Sequence, residues 1–470
     1  MKILFLRSLP AMFLVHCLGC LSANAERPAT SPNPAGIIDP RTYGAKGDGS
    51  HVDTVALQKA IDACGGTGGK VVLTAGTYLT GPLELRAHMT LCVESGAVLL
   101  GSPLIRDYPV RLPYWQKDSP LCRSLLYATN ADGLRIEGGG VIDGNCRKMN
   151  VGESSRGGGK ESELPSLLRI YRSTGVTLKG VTLRDPCMWT EIYSECDGLV
   201  IDGIIVDAPP YCHNLDGIDI CDCHDVAVRN CDIRAEDDAV CLKSLSPRGL
   251  SKILVENNRI LCYRANAIKF GSSTRGPISH VVIRNNRVDY AKYGGLVIAS
   301  VDGSEVSDIL VQDLEMYHVG QPLYIRLGRR GMTGSINGIT IMGLHARCTN
   351  PDNFPSCSIS GIPEARIGSV LIKDCSFEMP GGIKTLPGNP PEKETSYPQS
   401  NMFGTTPAYA FFIRHAGPIT LDHVQVFSSA SDSRPWISVD DADVRCIDCT
   451  DGGKPVSTPS ANPSPGHGAN

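Results

Sequence analysis

The chain has 470 residues, 20% of them charged, and a formal net charge of −4, so neither a basic nucleic-acid-binding face nor a polyanion-repelling surface is indicated. Hydrophobic residues at 41% allow a sizeable core, while 50 glycines and only 6% aromatics favour many tight turns and thin packed layers over a helical protein.

Residues 1–25, MKILFLRSLPAMFLVHCLGCLSANA, read as a secretory signal peptide cleaved after Ala25. Lys2 and Arg7 are basic, the stretch beyond them is apolar though interrupted by His16, and Ala23-Asn24-Ala25 is a small-residue end. A lipid anchor on Cys20, after Gly19, is the competing reading, and Cys17 with Leu18 makes a poor lipidation site. A secreted or periplasmic protein is therefore expected. No later segment is apolar for long enough to insert stably in a bilayer.

Beyond the leader 17 of the 19 cysteines remain, and an odd number cannot all pair within one chain. Many sit in apolar runs such as CDCHDVAVRNC, where cysteine packs as a small hydrophobe. Neither the Cys221–Cys223 pair nor the Cys446–Cys449 pair has a second pair at zinc spacing, so no metal or other cofactor is expected.

The glycine-rich turn segment RTYGAKGDG, from Arg41, precedes a predicted short helix over Ser50–Cys64, whose Val55, Leu57, Ala60, Ile61 and Ala63 can cover a first layer. A strand region, KVVLTAGTYLTGPLEL, follows from Lys70, and a polar insertion lies between Cys146 and Leu164. Then a pattern repeats: VTLKGVTL from Val176, LVIDGIIV from Leu199, VAVRNCDI from Val226, ILVENNRI from Ile253, VVIRNNRV from Val281 and ILVQDLEM from Ile309, with VLIKDCSF later from Val370. Each is an alternating apolar strand broken by Gly, Asn or Asp and then resumed. Taking Gly180, Gly203, Asn230, Asn257, Asn285 and Asp313 as equivalent points, the intervals are 23, 27, 27, 28 and 28 residues, one solenoid coil each. No ten-residue helical pattern separates these strands, which argues against sheets covered by helices. The predicted fold is all-β: a single-stranded right-handed parallel β-helix with a short N-terminal capping helix, one domain over residues 26–451. Residues 452–470 are rich in Pro, Ser and Gly and are expected to lack structure.

Within the coils, NLDGID and EDDAV carry the acids of interest. Asp216 and Asp238 are 22 residues apart, close to one coil, and so should face one groove from neighbouring turns, with Asp237 beside them. Three clustered carboxylates raise one another's pKa and leave one protonated near neutral pH, which supplies an acid and a base for cleaving a glycosidic bond. Small neighbours, Gly217 and Ala239, would let a bulky ligand approach. Asp219, Asp222, Asp225, Asp232 and Asp313 read as ordinary turn residues.

YGAKGDG from Tyr43, AGTYLTGPL from Ala75, NLDG, EDDAV and MFGTTPAYAFFIRH from Met402 together resemble glycoside hydrolase family 28, the polygalacturonase family of inverting right-handed β-helix pectin hydrolases. The family's Asn-Thr-Asp falls on Asn214, Leu215 and Asp216, and its Asp-Asp pair on Asp237 and Asp238. The resemblance implies that Asp237 protonates the leaving oxygen, that Asp216 and Asp238 hold and deprotonate water, and that Asn214 orients its neighbours by hydrogen bonding. It implies a pectic polysaccharide or oligosaccharide as partner, and a monomer is favoured.

Two signatures are missing. The family's Gly-His-Gly falls near Ala265-Asn266-Ala267, so Asn266 stands at its histidine, and its Arg-Ile-Lys falls on Val297, Ile298 and Ala299. Valine and alanine cannot bind a galacturonate carboxylate. Either a different basic set, drawn from Arg264, Lys269, Arg275, Arg326, Arg329 and Arg330, binds it from other coils, or the sugar beside the cleaved bond is neutral or decorated, as in rhamnogalacturonan or xylogalacturonan. Lys269 is the leading replacement cation. Trp189, Tyr193 and Tyr211 offer sugar-stacking rings, His213 reads either as tuning the acids or as a satisfied edge histidine, and His415 reads as structural or as a distant wall residue. The insertion around Val151–Leu164 would favour exo attack by blocking one end of the cleft. A β-helix polysaccharide lyase and a non-catalytic carbohydrate-binding β-helix are the alternatives.

Overall fold

Apolar residues at every second position are satisfied by strands with one buried face, and the chain folds as a stack of them. A computed structural model describes residues 36–109, 123–149, 164–349 and 356–459. The expected leader with Cys20 and most of the polar insertion lie outside the described residues. Apart from one α-helix and short 3-10 turns, the elements are strands, and nearly all pair in parallel.

Each strand pairs with the strands one coil earlier and one coil later, giving three ladders. Glu191–Ser194, Ile218–Cys221, Val240–Ser244 and Ile268–Thr274 form the first, aligned Glu191↔Ile218↔Val240↔Ile268. Asp197–Asp202, His224–Arg229 and Leu250–Glu256 belong to the second. Ile205–Asp207, Asp232–Ala235 and Arg259–Cys262 belong to the third.

The bends between the second and third ladders fall where the sequence repeats its Gly, Asn or Asp. Gly180, Gly203, Asn230, Asn257, Asn285 and Asp313 all hold positive φ, between 52° and 72°, a left-handed geometry that a β-branched residue resists. Asp222 and Asp225 share it, as expected of turn residues. Inside, Ile201, Val228, Val255, Ile283, Val311 and Ile341 stack coil on coil in register, all fully buried. Burying each stabilises the stack by about 1.5–3 kcal/mol. The described cysteines are free thiols and all but Cys446 are buried, consistent with their role as small core side chains.

The helix spans Thr54–Cys64 and turns Leu57, Ala60, Ile61 and Cys64 onto the first coils. It starts later than expected: Ser50 and Val52 belong to the strand Asp48–Val52. Asp53 sets the boundary, because its carboxylate accepts the amide N–H of Lys46 at 2.7 Å and of Gly47 at 2.9 Å. At the other end, Lys454–Val456 pairs antiparallel with Cys449–Asp451, within the stretch expected to lack structure. The reason is the Gly452-Gly453 pair, whose φ of 56° and 77° makes a two-residue hairpin turn. No helix among the described residues is long and apolar enough to cross a membrane.

Candidate active site

Asp216 lies two residues before the strand Ile218–Cys221, and Asp238, with Asp237 beside it, lies two residues before the paired strand Val240–Ser244 one coil later. The Gly217 N–H donates to the Asp238 carbonyl at 2.9 Å and the Asp237 N–H to the Leu215 carbonyl at 3.3 Å, locking the two segments together. Sequence separation thereby becomes proximity: one oxygen of Asp216, one of Asp238 and Cys241 Sγ lie within 4.8 Å of one another. All three acids line a cavity of about 750 Å³, with Asn214 and Lys243 from the same coils, Trp189 from the coil before and Arg275, Arg330 and Tyr397 from later ones.

Gly217 and Ala239 do not serve ligand approach. Ala239 is fully buried, and a Cβ on Gly217 would sit 2.4 Å from the Ala239 carbonyl oxygen. Close packing of the two acid-bearing segments requires the small residues.

The acids differ in their surroundings. Asp238 is buried and accepts hydrogen bonds from the Asn266 side-chain amide at 2.6 Å and the Asn266 N–H at 3.1 Å, while Lys269 Nζ lies 2.7 Å from its other oxygen. Charge-assisted bonds of this kind are made to a carboxylate. For Asp237, burial and then the Asp238 charge push its carboxyl up to about 7, more than Lys269 offsets. Burial, followed by Asp219 and Asp237, also holds Asp216 well above the usual carboxylate range. A proton-bearing acid beside a hydrogen-bonded carboxylate is the arrangement for general acid–base chemistry near neutral pH.

Asp219 is not a turn residue. It lies fully buried in Ile218–Cys221 in contact with the buried ammonium of Lys243, whose Nζ is also 3.8 Å from Asp216. The two are diagonal neighbours across the ladder, since Asp219 pairs with Cys241 and Lys243 is two residues further on. Lys243 Nζ also stands 3.7 Å over the Trp189 ring centroid. Sequence reading takes Asp219 for a turn residue and passes over Lys243, yet a lysine inside DAVCLKS, among apolar strand residues, is the available signal. Glu191 is a further buried acid, bonded to Tyr193 Oη at 2.5 Å and pushed up to about 8 by burial and by Asp219. Cys241 with Asp216 and Asp238 could supply three ligand atoms to a cation, but Lys243 and Lys269 already bring their ammonium groups to these carboxylates.

Several expected substrate contacts are corrected. Asn266 and Lys269 are buried, and the Asn266 side-chain nitrogen and Lys269 Nζ are turned onto Asp238, while the Asn266 side-chain oxygen accepts from the Gly294 N–H at 2.9 Å and Lys269 also bonds Tyr397 Oη at 2.9 Å. Arg264 pairs with the buried Glu236 at 2.5 Å and also contacts His213, itself 3.6 Å from Glu236. Arg326 is buried and bonds Ser360 Oγ at 2.9 Å and the carbonyls of Gly361 and Glu392 at 2.8 Å. Tyr211 packs against Arg147, 4.8 Å from ring centroid to guanidinium, and Tyr193 is fully buried, so neither ring faces the cavity. His415 is tied to Asp441 at 2.7 Å and Glu392 at 3.2 Å. Val297 and Ala299, where the Arg-Ile-Lys signature was expected, are fully buried in a small apolar cluster with Tyr324 and Phe403. No sugar could reach that position.

The family model described as glycosyl hydrolases family 28 matches residues 89–343. A probable polygalacturonase of Vitis vinifera is 32% identical over 223 residues, 45% of this chain and 44% of that protein. An exo-poly-alpha-D-galacturonosidase of Dickeya chrysanthemi is 28% identical over 304 residues, 53% of this chain and 50% of that protein. The chain thus spans about half the length of these curated relatives. The solved family 28 exopolygalacturonase of Yersinia enterocolitica superposes with a TM-score of 0.63 at 20% identity, covering 91% of this chain and 79% of its own, a likeness of fold.

Proposed function

The protein belongs to glycosyl hydrolases family 28, whose model matches residues 89–343, more than half of the chain, and from that membership we propose that it hydrolyses glycosidic bonds in galacturonate-containing pectic chains with inversion of configuration. Asp237, carrying a proton up to about pH 7, protonates the leaving oxygen. Asp238, held by Asn266 and Lys269, deprotonates a water on the opposite face of the sugar, and Asp216, beside Lys243, orients that water. Inversion needs about 6.5–9.5 Å between acid and base to admit that water. Asn214, in the cavity wall, orients these groups.

The observation that carries this reading is the meeting of Asp216 and Asp238, oxygens within 4.8 Å, from adjacent coils with Asp237 in the same cavity. A lyase needs a cation beside its base to stabilise an enediolate, and the two buried ammonium groups nearest these acids, Lys243 and Lys269, are already bound to carboxylates. The stack is read as a right-handed parallel β-helix, one domain capped by the helix Thr54–Cys64, in a protein exported from the cytoplasm.

Product analysis on homogalacturonan, rhamnogalacturonan and xylogalacturonan tests the proposal. Saturated products with new reducing ends from at least one of them support it, with kcat lowered about 100-fold or more in Asp237→Asn. Unsaturated, ultraviolet-absorbing products would reassign the protein as a lyase. Carbohydrate binding with no reducing ends from any of the three would make it a binding protein.

A further inference from the structure

An anionic sugar entering this cavity meets three carboxylates, so it needs a cation that those carboxylates have not already taken. Lys269 is committed to Asp238 and Tyr397, and Lys243 to Asp219 and Asp216. The slot at Val297 and Ala299 lies under Phe403 and is closed to solvent. Two arginines remain in the cavity wall, Arg275 and Arg330.

Arg330 is fixed in place. Its Nε donates to Asp302 at 2.9 Å, and its Nη2 donates to Asp302 at 2.5 Å and to the Ser272 carbonyl at 2.7 Å. These bonds hold the guanidinium plane in the wall and leave the two N–H of Nη1 outside them. Asp302 also balances its charge.

Arg275 differs. Its backbone N–H is anchored to the Ser244 carbonyl at 2.7 Å, one coil beyond the strand that carries Lys243. Its side chain is exposed to the cavity, and among the described residues its guanidinium takes part in no ion pair. A register shift between Leu242 and Ser244 on one strand and Phe270 and Thr274 on the next gives the later strand two extra residues, so Gly271, Ser272 and Ser273 bulge into the cavity wall just before Arg275. Bulges of this kind re-aim the side chains that follow them.

We propose that Arg275, backed by the Asp302-held Arg330, is the recognition site for the carboxylate of a uronate residue, replacing the buried and apolar position where such a cation was expected. A guanidinium matches the two oxygens of a carboxylate as a fork, which a lysine ammonium does not. The site makes the enzyme selective for free over esterified uronates. This rests on the glycosidase reading, and the test keeps the two apart.

The test compares wild type and Arg275→Gln on oligogalacturonate with free carboxyls and on the same oligomer fully methyl-esterified, alongside calorimetric titration of both proteins with trigalacturonate. The expected result is a fall of about ten- to a hundred-fold in the ratio of kcat/KM for free over esterified oligomer, carried by KM. Trigalacturonate binding weakens by a similar factor, and Arg275→Lys recovers only part of it. Raising salt weakens wild-type binding and affects Arg275→Gln less. An unchanged ratio, with trigalacturonate bound equally by both proteins, overturns the assignment. If wild type cleaves neither oligomer, the glycosidase reading fails, and the titration alone decides the site: lost binding in Arg275→Gln upholds it and equal binding removes it.

Discussion

Lys269 Nζ lies 2.7 Å from Asp238 Oδ2 across adjacent coils, and both side chains are buried. This pairing gives two consecutive aspartates different surroundings. Asp238 meets an ammonium and two amide N–H groups, whereas burial and the Asp238 charge leave the proton on Asp237.

Removing the ammonium strands a buried charge, which costs about 3–5 kcal/mol. Lys269→Met should therefore lower the denaturation midpoint and cut kcat sharply. The double variant Lys269→Met/Asp238→Asn should regain part of the stability and none of the rate. Denaturant titration with steady-state kinetics measures both, and a single variant as stable and active as wild type would refute the pairing.

The pH dependence follows from Asp237. In the proposed reaction the acid form of Asp237 does the work, so kcat/KM should fall as pH rises through about 7. Its folded pKa lies above the ordinary value of 3.8, so the folded state holds more protons than the unfolded state between those values, and stability falls as pH rises from about 4 towards about 7. Melting curves across this range should show a shallower decline in Asp237→Asn. Parallel declines in the two proteins would contradict the assignment.

Restoring the missing family signature should damage the protein. Val297 and Ala299 are fully buried against Tyr324 and Phe403, so Val297→Arg with Ala299→Lys inserts two charges where no water can follow. A lower melting temperature with no fall in KM for oligogalacturonate is expected. A tighter KM would show that the position reaches substrate.

Much of this molecule was legible because solenoid geometry is written in spacing. The Gly, Asn and Asp points at Gly180 to Asp313 gave the coil length and hold positive φ, and the one-coil separation of Asp216 and Asp238 brought them together. What was not legible depended on the direction of side chains. Asp219 looks like any turn aspartate until the ladder sets it against Lys243. Lys269, Arg264 and Arg326 look like free cations until a neighbouring coil or a distant loop, such as that carrying Glu392, supplies their partners. The Gly452-Gly453 hairpin was hidden by the composition of the tail around it.

Gly217 is required by packing. A Cβ there would meet the Ala239 carbonyl oxygen at 2.4 Å, on backbone that carries both acid-bearing segments. Gly217→Ala should cost about 1–3 kcal/mol through overpacking and reduce kcat by shifting Asp216 away from Asp238. Thermal melts and kinetics on the same preparation check this, and a variant equal to wild type in both would remove the constraint.

The account depends most on water attacking from the side of the sugar opposite Asp237. Proton NMR of the anomeric signal in the first moments of hydrolysis, before mutarotation, reads this directly. Cleavage of an α-linked galacturonan is predicted to release the β-anomer first. An initial α-anomer would mean net retention, and the roles given to Asp216 and Asp238 would have to be abandoned.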